Sequence, residues 1–218
     1  MIPISDVIPS RTTPFVTVGL IVLNAIIFLY EQLLPAPQLQ QFVAAYALIP
    51  ASFAWPALFT SQFLHAGWMH VISNMLYLWI FGDNVEDRLG HARYLLFYLG
   101  AGALAAILQT LFNPYSSVPM LGASGAIAGV MGAYFVLYPQ SRVLTLIPLI
   151  VFWEIVELPA IFLLGFWFLM QLFSAGAIAA TANSQAGGVA FMAHVAGFVT
   201  GLVGVFIFRK RTPDTRWI

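Results

Sequence analysis

Four polar side chains interrupt long apolar runs in this sequence. His70 and Asn74 sit in LHAGWMHVISNMLYLWIF, Ser124 in LGASGAIAGVMGAY, and His194 in FMAHVAGFVTGLVG. A hydroxyl and an imidazole can act as nucleophile and general base, because the imidazole takes the proton that keeps the hydroxyl weakly reactive. His70 and Asn74 are four apart, so on a helix they share one face, where both could donate to a developing oxyanion. Each residue also has a plainer use. A Ser within a helix can bond back to the carbonyl four residues earlier, and a His can link two helices. His65 is assigned to structure at the outer mouth of the second apolar run, and His91 to a solvated cytoplasmic loop. Whether there is a site therefore depends on the elements that carry these groups.

Of the 218 residues, 61% are hydrophobic and only 7% charged, against roughly a quarter charged in soluble domains. Such a chain cannot cover itself with a water-facing surface and reads as an integral membrane protein. Net charge is zero, and the one basic cluster is Arg209-Lys210-Arg211, which argues against nucleic acid as a partner. The absence of cysteine excludes disulfides and thiolate chemistry. Residues 1–14 lack the form of a signal peptide, so the first apolar run is expected to be retained.

Six apolar windows suit membrane helices: Phe15–Leu34, Leu64–Phe81, Tyr94–Phe112, Leu121–Tyr138, Leu158–Ala175 and Val189–Phe208. A bare backbone finds no partners in lipid, and nothing alternates with period two as a barrel would require. All eight basic residues fall in the termini or after the second and fourth windows, and none in 35–63, 113–120 or 176–188. That bias predicts cytoplasmic termini. The segment from Pro35 to Phe63, uncharged and broken by proline, is expected to lie half-immersed in the outer leaflet. Val143–Glu157 is expected to be an interfacial segment, and one membrane domain to account for residues 1–218.

In this topology the second, fourth and sixth spans run the same way. Ser124 precedes Tyr138 by 14 residues, His194 precedes Phe208 by 14, and His70 precedes Asp83 by 13. At ~1.5 Å per residue all three lie about 21 Å above the inner boundary, roughly 9 Å below the outer one. Gly125/Gly129 and Gly197/Gly201 form small-xxx-small faces that let helices approach closely. The stretch from Gly122 to Gly125 reads as a loop turning into a helix at the serine, aiming backbone N–H groups at an anion. No carboxylate shares that level. A hydrolase would thus use a Ser124–His194 dyad, with His70, Asn74 and the Ser124 N–H as oxyanion donors. A transporter or a scaffold remains open on spacing alone. Other intramembrane proteases are excluded, since there is neither an H-E-x-x-H motif for zinc nor a carboxylate pair at one depth.

The runs TSQFLHAGWMHVISNMLYLWIFGDNVEDRLG, VPMLGASGAIAGVMGAY and FMAHVAGFVTGL, in this order over roughly Tyr46–Phe208, resemble the rhomboid intramembrane serine proteases in their six-helix bacterial form. G-x-S-G at Gly122–Gly125, H-x-x-x-N at His70–Asn74 and A-H-x-x-G at Ala193–Gly197 carry the resemblance. It implies an all-α, polytopic bundle of six transmembrane helices in the bacterial inner membrane. It also implies Ser124 as nucleophile, His194 as base, and His70 and Asn74 as oxyanion stabilisers. The reaction would be hydrolysis of a transmembrane-helix protein substrate near its outer end, with no metal and no cofactor. A catalytically idle, helix-binding relative is the alternative. Two positions depart from better-known members. Trp55-Pro56 stands where many carry Trp-Arg, and Ala128 where some carry a tyrosine beneath the catalytic ring.

Overall fold

A computed structural model of the chain describes residues 1–148, 153–180 and 190–209. The basic residues Lys210, Arg211 and Arg216, and most of the 176–188 connection, lie outside these. The longer helices are α1 (Phe15–Leu33), α4 (Trp68–Leu89), α5 (His91–Phe112), α6 (Ser124–Leu137), α7 (Ala160–Ala180) and α8 (Phe191–Phe208). Two short ones, α2 (Ala36–Tyr46) and α3 (Ala57–Thr60), precede α4. Among the described residues, four helices are long and apolar enough to cross a membrane: α1, α5, α7 (over Ala160–Ala177) and α8. The chain is a multi-pass membrane protein. Of the other two windows, α6 has only 14 residues, and the last two turns of α4 carry Asp83, Glu86, Asp87 and Arg88.

The described residues are not all-α. Strands β1 (Ile2–Asp6), β2 (Arg142–Pro148) and β3 (Trp153–Pro159) form an antiparallel sheet in the order β1-β2-β3. β2 pairs with β3 from Arg142↔Pro159 to Pro148↔Trp153, and β1 with β2 from Ile2↔Leu146 to Asp6↔Val143. The expected interfacial segment Val143–Glu157 thus folds into two paired strands, with 149–152 outside the described residues. Val, Ile and Thr favour the pleated backbone, and the pairing satisfies N–H and C=O groups that a lone interfacial strand would leave bare. The sheet is tied to α6 by Tyr134, whose hydroxyl donates to Asp6 Oδ2 at 2.6 Å.

Helix α4 runs past its apolar window because its acidic end has partners. Glu86 is fully buried, and its carboxylate accepts from Val16 N–H (2.9 Å), Thr17 N–H (2.8 Å) and the Thr17 hydroxyl (2.7 Å). These are the orphan donors at the start of α1, which has no side-chain cap of its own. A carboxylate there also meets the positive end of the helix dipole. Asp87 does the same for the preceding loop, accepting from Arg11 N–H and Thr12 N–H. His91 is exposed, as expected of a solvated residue, but it is helical rather than in a loop. It opens α5 with Nδ1 2.5 Å from Glu86 Oε1.

Helix α6 is buried on every side from Ala126 to Tyr134, and its partners are α8, α5 and α4. The approach to α8 is backbone to backbone. A Cβ on Gly197 would collide with the Gly125 carbonyl, and one on Gly201 with the Gly129 carbonyl. Ala101 of α5 closes the opposite side, 2.6 Å from where a Gly129 Cβ would stand. Small residues at four-residue spacing thus let α6 and α8 touch.

Candidate active site

The close seam between α6 and α8 brings Ser124 and His194 together. His194 Nε2 lies 2.8 Å from Ser124 Oγ. Ser124 is the first residue of α6, so its N–H has no intrahelical acceptor and points out of the helix end. The chain enters this end through Gly122, whose φ of +121° only glycine adopts readily. Gly122 N–H is held by the Ser61 carbonyl at 2.9 Å.

His70 and Asn74 face the same loop. A Cβ built on Gly122 would lie 2.7 Å from His70 Nε2 and 3.7 Å from Asn74 Nδ2. His70 Nδ1 accepts from the Ala66 N–H at 3.4 Å, which places the ring proton on Nε2, toward Gly122. Asn74 Nδ2 lies 3.0 Å from His65 Nε2. His65 is itself buried, with its backbone N–H donating to Glu31 Oε2 at 3.2 Å. His65 therefore aims Asn74, consistent with its assignment to structure. Four expected residues on three helices meet around one loop, and the arrangement can transfer a proton from a hydroxyl and bind a nascent oxyanion beside it.

The family model of the rhomboid domain matches residues 52–211. The chain belongs to the rhomboid family. It is 42% identical over 88 residues to the rhomboid protease GluP of Bacillus subtilis, covering 40% of this chain and 17% of that protein. It is 31% identical over 163 residues to the chloroplastic Rhomboid-like protein 11 of Arabidopsis thaliana, covering 72% and 54% respectively. Against the mitochondrial Rhomboid protein 1 of Saccharomyces cerevisiae it is 31% identical over 133 residues, covering 58% and 37%. This rhomboid chain spans less than two thirds of the length of each.

Three glutamines escaped the reading of the sequence. Gln109 of α5 is buried and accepts from Ala193 N–H at 3.0 Å, satisfying a first-turn donor of α8 beside His194. Gln171 of α7 places Oε1 2.8 Å from His194 Nδ1. Gln62 donates to the carbonyls of Leu58 (2.8 Å) and Leu99 (3.2 Å), pinning the segment before α4 to α5. That segment is also held by paired hydrogen bonds between Leu48 and Met120, at 3.0 and 2.7 Å. An amide inside an apolar span is costly unless bonded, so the two in α5 and α7 were signals of the same kind as the histidines.

Proposed function

We propose that this rhomboid is an intramembrane serine endopeptidase, cutting peptide bonds in or near the outer end of transmembrane-helix substrates. The observation that carries the proposal is the 2.8 Å approach of His194 Nε2 to Ser124 Oγ, at a helix start faced by His70 and Asn74. In this reading Ser124 Oγ attacks the scissile carbonyl while His194 Nε2 accepts its proton. The carbonyl oxygen becomes an oxyanion that receives hydrogen bonds from His70 Nε2–H, an Asn74 amide hydrogen and the Ser124 N–H. The imidazolium then gives its proton to the leaving amine, and the acyl group stays on Ser124. Water, deprotonated by the same imidazole, attacks the ester and releases the acid. The chemistry calls for no metal or cofactor.

The basic residues support six spans, with α4 and α6 completing the set, and cytoplasmic termini in a bacterial plasma membrane. The test is cleavage of a model transmembrane substrate in detergent, together with labelling by a fluorophosphonate. Labelling at Ser124, absent in Ser124→Ala, is expected. A folded protein that neither cleaves nor labels would instead be a helix-binding relative without catalysis.

A further inference from the structure

Ala128 lies one turn after Ser124 and offers the catalytic ring only a methyl group. The ring is gripped from α7 instead. The inward stripe of that helix runs Leu164, Trp167, Phe168, Gln171, Ala175, the spacing of one helical face. Residues between them, such as Phe166, Met170 and Phe173, are exposed. Trp167 lies beside the His194 imidazole with centroids 5.8 Å apart and planes at 35°. One turn later Gln171 Oε1 stands 2.8 Å from Nδ1, while Nε2 faces Ser124 Oγ at the same distance.

We infer that Gln171 is the positioning residue of the catalytic base, its amide oxygen taking the Nδ1–H of His194 and so leaving Nε2 bare toward Ser124. This rests on the protease reading above. A neutral imidazole carries one proton, and only the form protonated on Nδ1 can accept from a hydroxyl at Nε2. With one hydrogen bond at each nitrogen the ring is fixed in tautomer and in plane. A carboxylate would fix the same tautomer, but at this depth an unpaired charge is expensive. An amide oxygen orients the ring without adding a charge to the span. Gln171 does not touch the reacting atoms and acts only through His194.

Two measurements test this. Imidazole ¹⁵N spectra of the wild-type protein in micelles, at neutral pH, should show His194 protonated on Nδ1 and bare on Nε2. Q171M, similar in length but without an acceptor, should show the two tautomers mixed. Loss of a group that orients a metal-bound imidazole typically lowers activity about 10- to 100-fold, and a drop of that order is expected here. That loss should appear in kcat, with KM nearly unchanged, because no substrate contact is removed. Q171E, which keeps an acceptor oxygen, should recover most of the rate. A wild-type His194 protonated on Nε2 would overturn the inference whatever the variants do. So would a Q171M enzyme with wild-type kcat, or a Q171E no better than Q171M. If the wild type neither cleaves nor labels with fluorophosphonate, the protease reading fails separately, and the ¹⁵N spectrum still decides the hydrogen bond.

Discussion

Gly122→Ala should disable the proposed protease from a position that carries no reacting group. A methyl at residue 122 would stand 2.7 Å from both Cε1 and Nε2 of His70. Non-bonded carbons prefer about 3.5–4.0 Å, so the ring must retreat by roughly 0.8 Å or more. The φ of +121° adds backbone strain of about 1–3 kcal/mol for a residue with a Cβ. A donor displaced this far is lost to the oxyanion, which typically costs ~10²–10³ in rate, about 2.7–4 kcal/mol. The strain should lower Tm by several degrees, at roughly 2–4 °C per kcal/mol for a chain of this size. Cleavage of a model transmembrane substrate in micelles measures the first effect and thermal melting the second. The decisive comparison is with His70→Ala, which removes the same donor and empties the space the methyl would need. The double variant should turn over within about threefold of His70→Ala alone, since two changes that remove one interaction do not add. Multiplied losses, or Gly122→Ala at wild-type turnover, would refute the placement of His70 over this loop.

Ser124→Ala and His194→Ala should each abolish cleavage while shifting Tm little, because each removes one hydrogen bond, worth about 1 kcal/mol, and opens no large cavity. Residual turnover above a few per cent in either would exclude the dyad. Gly201→Ala forces a methyl against the Gly129 carbonyl and should destabilise by about 1–3 kcal/mol through overpacking. It should also slow cleavage by spreading α6 from α8, and unchanged melting would refute the close seam. At the β-sheet, burial raises the Asp6 carboxyl from 3.8 to about 6, against the Tyr134 hydrogen bond. The folded protein therefore prefers protonated Asp6. Its contribution to stability is full below about 3.8 and is lost as pH rises through about 6. Asp6→Asn should raise Tm at pH 8 and leave it nearly unchanged at pH 4. A benefit confined to acidic pH would reverse this assignment.

What the sequence made legible follows from where lipid raises the cost of a polar atom. His70, Asn74, Ser124 and His194 stand out because little else in their windows could excuse them. Their common depth follows from helix rise alone, and the Gly125/Gly129 and Gly197/Gly201 faces explain how two of them meet. At the charged end of α4 this contrast vanishes. Glu86 looks like an ordinary boundary charge, and its role as the cap of α1 rests on a contact 69 residues distant. β1 escaped for a related reason, because four of its five residues pair with Val143–Leu146 and the strand has no periodicity long enough to read. Gln171 is the instructive case, since it lies within an apolar window and the cost argument applied to it in full. Its chemistry does not mark it out, because an amide neither attacks nor titrates. Among the described residues no carboxylate is bonded to His194, and the partner at its Nδ1 is a neutral amide. The unexplained amides of the spans are therefore the residues to examine next to any buried imidazole.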